Sequence, residues 1–295
     1  MPPRNASRSL ASPSGIGLAA LAAMLFSSSS VFVRLAEPIA AYEITFWRMV
    51  IAAATAGVGL LVFARGQRLP RERRYVWIGL AAALHFLLFV AALGLTTIAH
   101  ALSIVYLAPA IIALASWRWL GEELRGRQIA GIAIALVGIA ILVGFEPKMD
   151  RQLLAGDAAA FGSACCFAAY SIAGREERLK YRLLPYATAV YGIAALWLLP
   201  AFAISFVTGL GATAYTPSTV PALAASGIVP LGLGHTFYNA SLRRIPATFA
   251  NLIASQEVTG GVILGAIILH ELPPANAVAG AVLALAGITL VLWEV

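Results

Sequence analysis

The sequence predicts an all-α membrane protein of ten transmembrane helices in two inverted five-helix repeats, and three observations carry that reading. Of 295 residues, 61% are hydrophobic and only 11% charged, against roughly 45–50% and about 25% in soluble chains. A soluble body of this size could not cover its surface with so few charges, which excludes cytosolic, secreted and disordered readings. Apolar runs of about 20 residues, the length that crosses a hydrocarbon core of roughly 30 Å, recur ten times along the chain. A single shift of 149 residues then lays spans 8–10 over spans 3–5.

The spans fall near residues 14–35, 43–64, 74–95, 98–120, 127–145, 155–174, 184–207, 219–241, 246–269 and 275–293. Their connections are short and punctuated by Pro, Gly and charge clusters such as RGQRLPRERR and GREERLKYR, leaving no room for a soluble domain. Arg4 and Arg8 ahead of the first apolar block resemble the start of a signal peptide. That block, however, runs about 22 residues without a clear small-residue exit, so it reads as a spanning helix. Cys165 and Cys166 are adjacent within span 6, offer neither a disulfide framework nor a C-x-x-C spacing, and read as small packing residues.

Orientation follows the basic residues, since cytoplasmic loops hold the excess of Lys and Arg. With the N-terminus inside, 16 of the 20 fall on inner segments, so both termini are expected in the cytoplasm. The net charge of +7 is then a topology signal and not a nucleic-acid surface.

The repeat is clearest where IAGIAIALVGIAILV (129–143) lies over VAGAVLALAGITLVL (278–292), with six of 15 positions identical. The same register sets Leu120-Gly121-Glu122 on Leu269-His270-Glu271 and holds without a gap across spans 3–5 and 8–10. The boundary falls between 1–147 and 148–295. Five spans per copy is an odd number, so the second copy enters the membrane inverted, as in secondary carriers that rock two halves about a midplane site. The sequence contains no H-E-x-x-H, G-x-S-x-G or P-loop and, within the spans, no carboxylate pair at helical spacing. No enzyme, metal site, cofactor or ATP-driven pump is expected from it.

Several stretches together resemble the EamA type of the drug/metabolite transporter (DMT) superfamily over essentially the whole chain. They are TFWRMVIAAA around Arg48, LAPAIIALASWRWLGEEL and the Gly-rich span after it, Gly156-Asp157 through AAYSIAGR, and RRIPATFANLIASQEVTGGVILGAIILHE with its Gly-rich follower. Within that family the chain looks most like YddG-like amino-acid exporters. The resemblance implies a bacterial inner-membrane secondary transporter exporting small metabolites, above all aromatic or other apolar amino acids. It also implies a lipid environment, a proton as candidate coupling ion, and a monomer or homodimer that binds no nucleic acid. Two positions depart from the pattern: Val258 follows Glu257 where the family often has proline, and His270 stands where repeat 1 has glycine. The alternatives are a multidrug or other metabolite exporter of the same fold, for which a more continuously aromatic cavity with an acidic residue is expected, and a channel-like protein.

Buried charge is costly in a bilayer, so mid-span ionisable residues mark partners or wet cavities. Arg48 and Glu257 are the two clear cases. Arg48 reads, with Pro109, as structural or gating, its guanidinium snorkelling or capping helix carbonyls near the outer edge. Glu257 sits near the midplane as a hydrogen-bonded acid, an ion-pair member or an acceptor for a substrate ammonium. The repeat register puts His85 one residue from the equivalent of His235. His85 with Phe89, Ser103 with Tyr106, and His235 with Tyr238 and Asn239 share helix faces. With Tyr170, Asn251, Gln256 and Glu257 they are the candidate lining of a cavity for a zwitterion with an apolar side chain. Gly261 and Gly265 form a G-x-x-x-G, and Gly131 and Gly138 recur as Gly280 and Gly287. Such faces let helices approach closely, which makes spans 5 and 10 packing helices or a dimer contact.

Overall fold

The computed structural model describes residues 12–95, 98–121, 125–143, 151–209, 215–268 and 275–292. Span 1 is two helices, α1 (Pro13–Phe26) and α2 (Ser29–Leu35), followed by α3 (Ala41–Phe63) and α4 (Arg74–Leu95) as spans 2 and 3. Span 4 is α5 (Ile98–Val105), α6 (Ala108–Ala115) and a π-helical turn at Ser116–Leu120; span 5 is α7 (Gly126–Val143). In the second half, span 6 is α8 (Arg151–Lys180) and span 7 is α9 (Leu183–Thr208). Span 8 runs as α10 (Thr219–Ser226), a π-helix (Gly227–His235) and α11 (Thr236–Ser241). Span 9 is α12 (Ala247–Ala254) and α13 (Glu257–Ile268), and span 10 is α14 (Ala275–Leu292).

All ten spans therefore stand where hydropathy placed them. Span 6 is longer than expected because the Glu, Arg, Leu and Lys that follow its apolar part are strong helix formers, and Arg178 and Lys180 in its last turn suit the negative end of the helix dipole. Among the described residues, five stretches are by themselves long and apolar enough to cross a membrane: Pro13–Leu35, Ala41–Phe63, Arg74–Leu95, Leu183–Thr208 and Thr219–Ser241. The first opens with Ser12 accepting the Gly15 N–H at 3.2 Å, beside a proline at the first helical position.

Three spans are broken, for identifiable reasons. Pro109 enters α6 at its second residue, which removes a backbone donor after the turn at Tyr106 and Leu107. In span 9 the turn falls on Ser255 and Gln256, the same two positions after the 149-residue shift, although no proline is there. Instead the Ser255 hydroxyl donates to the Leu252 carbonyl at 2.6 Å. Span 1 breaks at Ser27 and Ser28, whose hydroxyls donate to Ala23 O at 2.8 Å and Leu25 O at 2.7 Å. Serine back-bonding of this kind competes with the helix ladder. In span 8, Pro230 lies within the π-helix, whose wide turns accommodate a residue lacking an N–H.

Packing repeats with two-fold logic. Helix α7 lies along α14, α3 along α9 and α6 against α12, each pair joining equivalent spans of the two copies. Helix α4 packs on α8, and span 8 packs correspondingly on span 1. The seam between α7 and α14 is backbone against backbone. A Cβ built on Gly138 would lie 2.4 Å from Ala284 N and 2.8 Å from Gly280 O. One built on Gly287 would lie 2.5 Å from Ala135 N and 2.6 Å from Gly131 O. Adding 149 to position 138 gives 287, and subtracting 149 from positions 284 and 280 gives 135 and 131, so the two contacts exchange the copies, the signature of helices related by a two-fold axis.

The glycine faces of spans 5 and 10 meet each other within the chain, as expected of packing helices, while Val137, Val282 and Leu285 point outward. A close approach on α13 is made by Gly260, whose Cβ would lie 2.5 Å from Ser27 Cβ, whereas one on Gly261 would meet Ser30 Oγ at an ordinary 3.5 Å; the surroundings of Gly265 lie outside the described residues. Cys165 is exposed and so is not a packing residue. Glu122, Leu269, His270 and Glu271 lie outside the described residues.

Candidate functional site: a central aromatic cavity

Six spans converge on a cavity of about 30 Å³ at the centre of the bundle, room for about one water molecule. Phe26 and Ser29 reach it from span 1, His85, Phe86 and Phe89 from α4, and Tyr106 from the break in span 4. Phe167 comes from α8, Pro230 and His235 from the π-helix, and Glu257 from the first turn of α13. The breaks are what deliver Ser29, Tyr106 and Glu257, since each sits where a helix stops or restarts.

The His85 ring stacks on Phe167 with centroids 4.5 Å apart, and its Nδ1 lies 2.9 Å from the Ser163 hydroxyl. His235 packs 4.3 Å from Phe26 and 4.7 Å from Phe86, with no hydrogen bond at Nδ1. Phe86 and His235 occupy equivalent positions of the two copies, so their contact marks the pseudo-two-fold axis. The Tyr106 hydroxyl donates to Glu257 Oε2, and the position of Glu257 at the start of α13 places the carboxyl at the positive end of a helix dipole.

Arg48 is buried to 1% exposure, donates from Nη2 to Ser29 Oγ at 2.9 Å and holds its guanidinium carbon 5.8 Å from the Phe86 ring centre. The expected snorkelling does not occur, because the break of span 1 sets the Ser29 hydroxyl directly against the guanidinium. Nε and Nη1 of Arg48 have no hydrogen-bond partner. A buried donor left open costs about 1–3 kcal/mol. Among the described residues no direct ion pair joins Arg48 and Glu257.

One helical turn toward the end that carries Arg74 and Lys180, a hydroxyl and amide layer crosses the bundle. Asn239 Nδ2 donates to the Tyr170 hydroxyl, to Tyr191 Oη at 3.3 Å and to the His235 carbonyl at 2.7 Å. The Tyr238 hydroxyl donates to Ser171 Oγ at 2.8 Å. Beyond it Glu177, 1% exposed, receives Arg74 at 2.6 Å, the Tyr75 hydroxyl at 3.0 Å and Lys180 at 3.5 Å. Arg178 donates to the Asn239 and Tyr181 carbonyls. Tyr181 donates to Glu72, which holds that exposed carboxyl below the usual carboxylate range.

Of the candidate residues, the structure brings His85, Phe89, Tyr106, His235 and Glu257 to the cavity and puts Tyr170, Tyr238 and Asn239 in the layer beneath it. Asn251 is fully buried beside Tyr238, with neither amide atom in a well-formed hydrogen bond. Gln256 is not among the cavity-lining residues and accepts from Thr259 at 3.1 Å. Pro109 is buried and shapes the span 4 break, and the side chain of Ser103 lies outside the described residues. Sequence reasoning missed Ser29, Phe167, Glu43 and Glu177. The run Ser27–Ser30 inside an apolar span was a usable signal for the first; the two glutamates were hidden by lying at span edges.

The profile of the EamA-like transporter family matches residues 13–144 and again residues 154–293. A solved crystal structure superposes with a TM-score of 0.76 over 94% of this chain and 96% of its own, at 23% identity, a likeness of fold alone. No curated protein sequence matches.

Proposed function

The chain belongs to the EamA-like transporter family, and from that premise we propose that it exports small zwitterionic metabolites, aromatic or other apolar amino acids, across a bacterial inner membrane. The halves 1–147 and 148–295 act as the two rocking units, with both termini cytoplasmic, a proton as coupling ion, and a monomer or homodimer as the working unit. What supports the substrate class is a carboxylate, Glu257, in an aromatic cavity whose Ser29 wall is backed by Arg48, a guanidinium with two open donor nitrogens among the described residues. The carboxylate suits an ammonium, the guanidinium edge suits a carboxylate, and the rings of Phe26, Phe86, Phe89 and Phe167 suit an apolar side chain. At about 30 Å³ the cavity is contracted, so loading requires the helices to part.

Counterflow of phenylalanine in proteoliposomes tests this reading. Saturable exchange, stimulated by substrate on the far side, is expected; flux without counterflow identifies a pore. Glu257→Gln should lower transport strongly and flatten its dependence over roughly pH 5 to 8, while wild-type rates across that range would reduce Glu257 to a structural hydrogen-bonder. One observation favours a second reading, a multidrug exporter: the cavity is aromatic on most sides with one carboxylate. That reading gives Arg48 no task, so export of tetraphenylphosphonium unaffected by Arg48→Lys, with no phenylalanine exchange, would select it.

A further inference from the structure

At the end of the bundle opposite the Glu177 cluster, a second void of about 350 Å³ opens between α3, α9 and the segment before α10. Its size falls in the range of small-molecule sites, roughly 300–1,000 Å³, whereas the central cavity is contracted. Trp47, Phe202, Phe206 and Tyr215 wall it, and Glu43 stands at its base. Trp47 meets Phe202 edge to face at 5.5 Å, and Phe202 stacks with Phe206 at 6.2 Å.

Glu43 is only 2% exposed. It accepts the Ser205 hydroxyl at Oε1 and the Tyr215 hydroxyl at Oε2, the latter at 2.9 Å. Both partners are neutral, and among the described residues no cation pairs with it. A carboxylate offers about four lone-pair positions, so two remain for a further donor. A carboxylate beneath aromatic faces that are otherwise uncharged is the chemistry that recognises an ammonium: the rings attract the cation through their quadrupoles and the carboxylate compensates its charge.

We propose that this pocket is a second binding site, separate from the central cavity, for a small organic ammonium ion with an apolar body. Glu43 neutralises the cation, Trp47, Phe202 and Tyr215 enclose it, and Phe206, 77% exposed, forms the wall nearest the lipid. The site stands independently of what the central cavity carries.

Titration calorimetry of the detergent-solubilised full chain with benzyltrimethylammonium tests it. One saturable site is expected, weakened about tenfold or more by Glu43→Gln and unchanged by Glu257→Gln. Benzyl alcohol, which keeps the ring and lacks the charge, should compete at least about tenfold more weakly. Phe206→Ala provides a variant whose exposed position spares the fold, and it should weaken binding several-fold while helical circular dichroism stays as in the wild type. The proposal is overturned by absence of saturable binding, by equal competition from benzyl alcohol, by loss of binding in Glu257→Gln, or by unaltered affinity in both Glu43→Gln and Phe206→Ala.

Discussion

Replacing Gly138 or Gly287 by alanine probes the seam on which the two halves meet. A methyl on Gly138 would sit 2.4 Å from Ala284 N, and one on Gly287 2.5 Å from Ala135 N. Both obstacles are backbone atoms, which have no rotamer to yield, so α7 and α14 must part by about 1 Å to restore ordinary contact. Overpacking of this kind typically costs about 1–3 kcal/mol. Because the two sites are images of each other, each single substitution should lose a similar amount. Once either methyl has opened the seam, the second enters an enlarged gap, so the double variant should lose less than the two singles together by about 0.5 kcal/mol or more. SDS-induced unfolding of the purified protein, followed by tryptophan fluorescence, measures all three. Strict additivity, or a loss confined to one glycine, would refute the argument from symmetric backbone contact.

The other expectations are more direct. Glu177→Ala strands Arg74, Lys180 and Tyr75 and removes charge-assisted hydrogen bonds worth about 1.5–3 kcal/mol. A cysteine placed by Ser171→Cys should then react faster with a membrane-impermeant maleimide added from the cytoplasmic side; unchanged reactivity would mean that the cluster does not seal that end. Accessibility labelling should find both termini and the RGQRLPRERR loop in the cytoplasm and residues 208–218 outside, and an external N-terminus would overturn the orientation. Glu72 is held low first by the Tyr181 hydroxyl, so its contribution to stability is present above its unfolded pKa and lost as pH falls through the depressed folded value. Tyr181→Phe should therefore destabilise at neutral pH, with the difference from wild type vanishing on the acid side; a constant difference across the titration would place the effect elsewhere.

Span positions and the repeat were legible because both depend on patterns that a bilayer enforces residue by residue: apolar length, loop charge, and small residues where backbones touch. Gly131, Gly138, Gly280 and Gly287 announced the α7–α14 seam, although not whether they would meet within one chain. The histidine pair, Tyr106 and Glu257 were each legible as candidates, from helix spacing and from the cost of a charge at the midplane, although the contact of Tyr106 with Glu257 was not. The breaks were not. A proline signals one of them, but the breaks of spans 1 and 9 rest on serine hydroxyls that turn back to carbonyls, and hydropathy cannot distinguish such a serine from one that merely fits. Arg48 was misjudged for the same reason, since its burial depends on Ser29 arriving at a helix restart. Glu43 and Glu177 read as edge charges because their burial is created by neighbours more than 100 residues away, Ser205 and Tyr215 in one case and Tyr75 in the other.

The breaks in spans 1, 4 and 9 have a mechanical consequence. An unbroken helix is a rigid rod, so tilting one end displaces the other in the opposite sense. A rod cut near its middle transmits no such couple. In this protein the cuts divide three of the six cavity-lining spans into short levers: α2, α5 and α13 toward one membrane face, α1, α6 and α12 toward the other. Each set can swing while the other keeps its contacts, with the continuous α8 and the seam of α7 and α14 serving as the frame. One mouth of the bundle is thereby free to widen without loosening the opposite one.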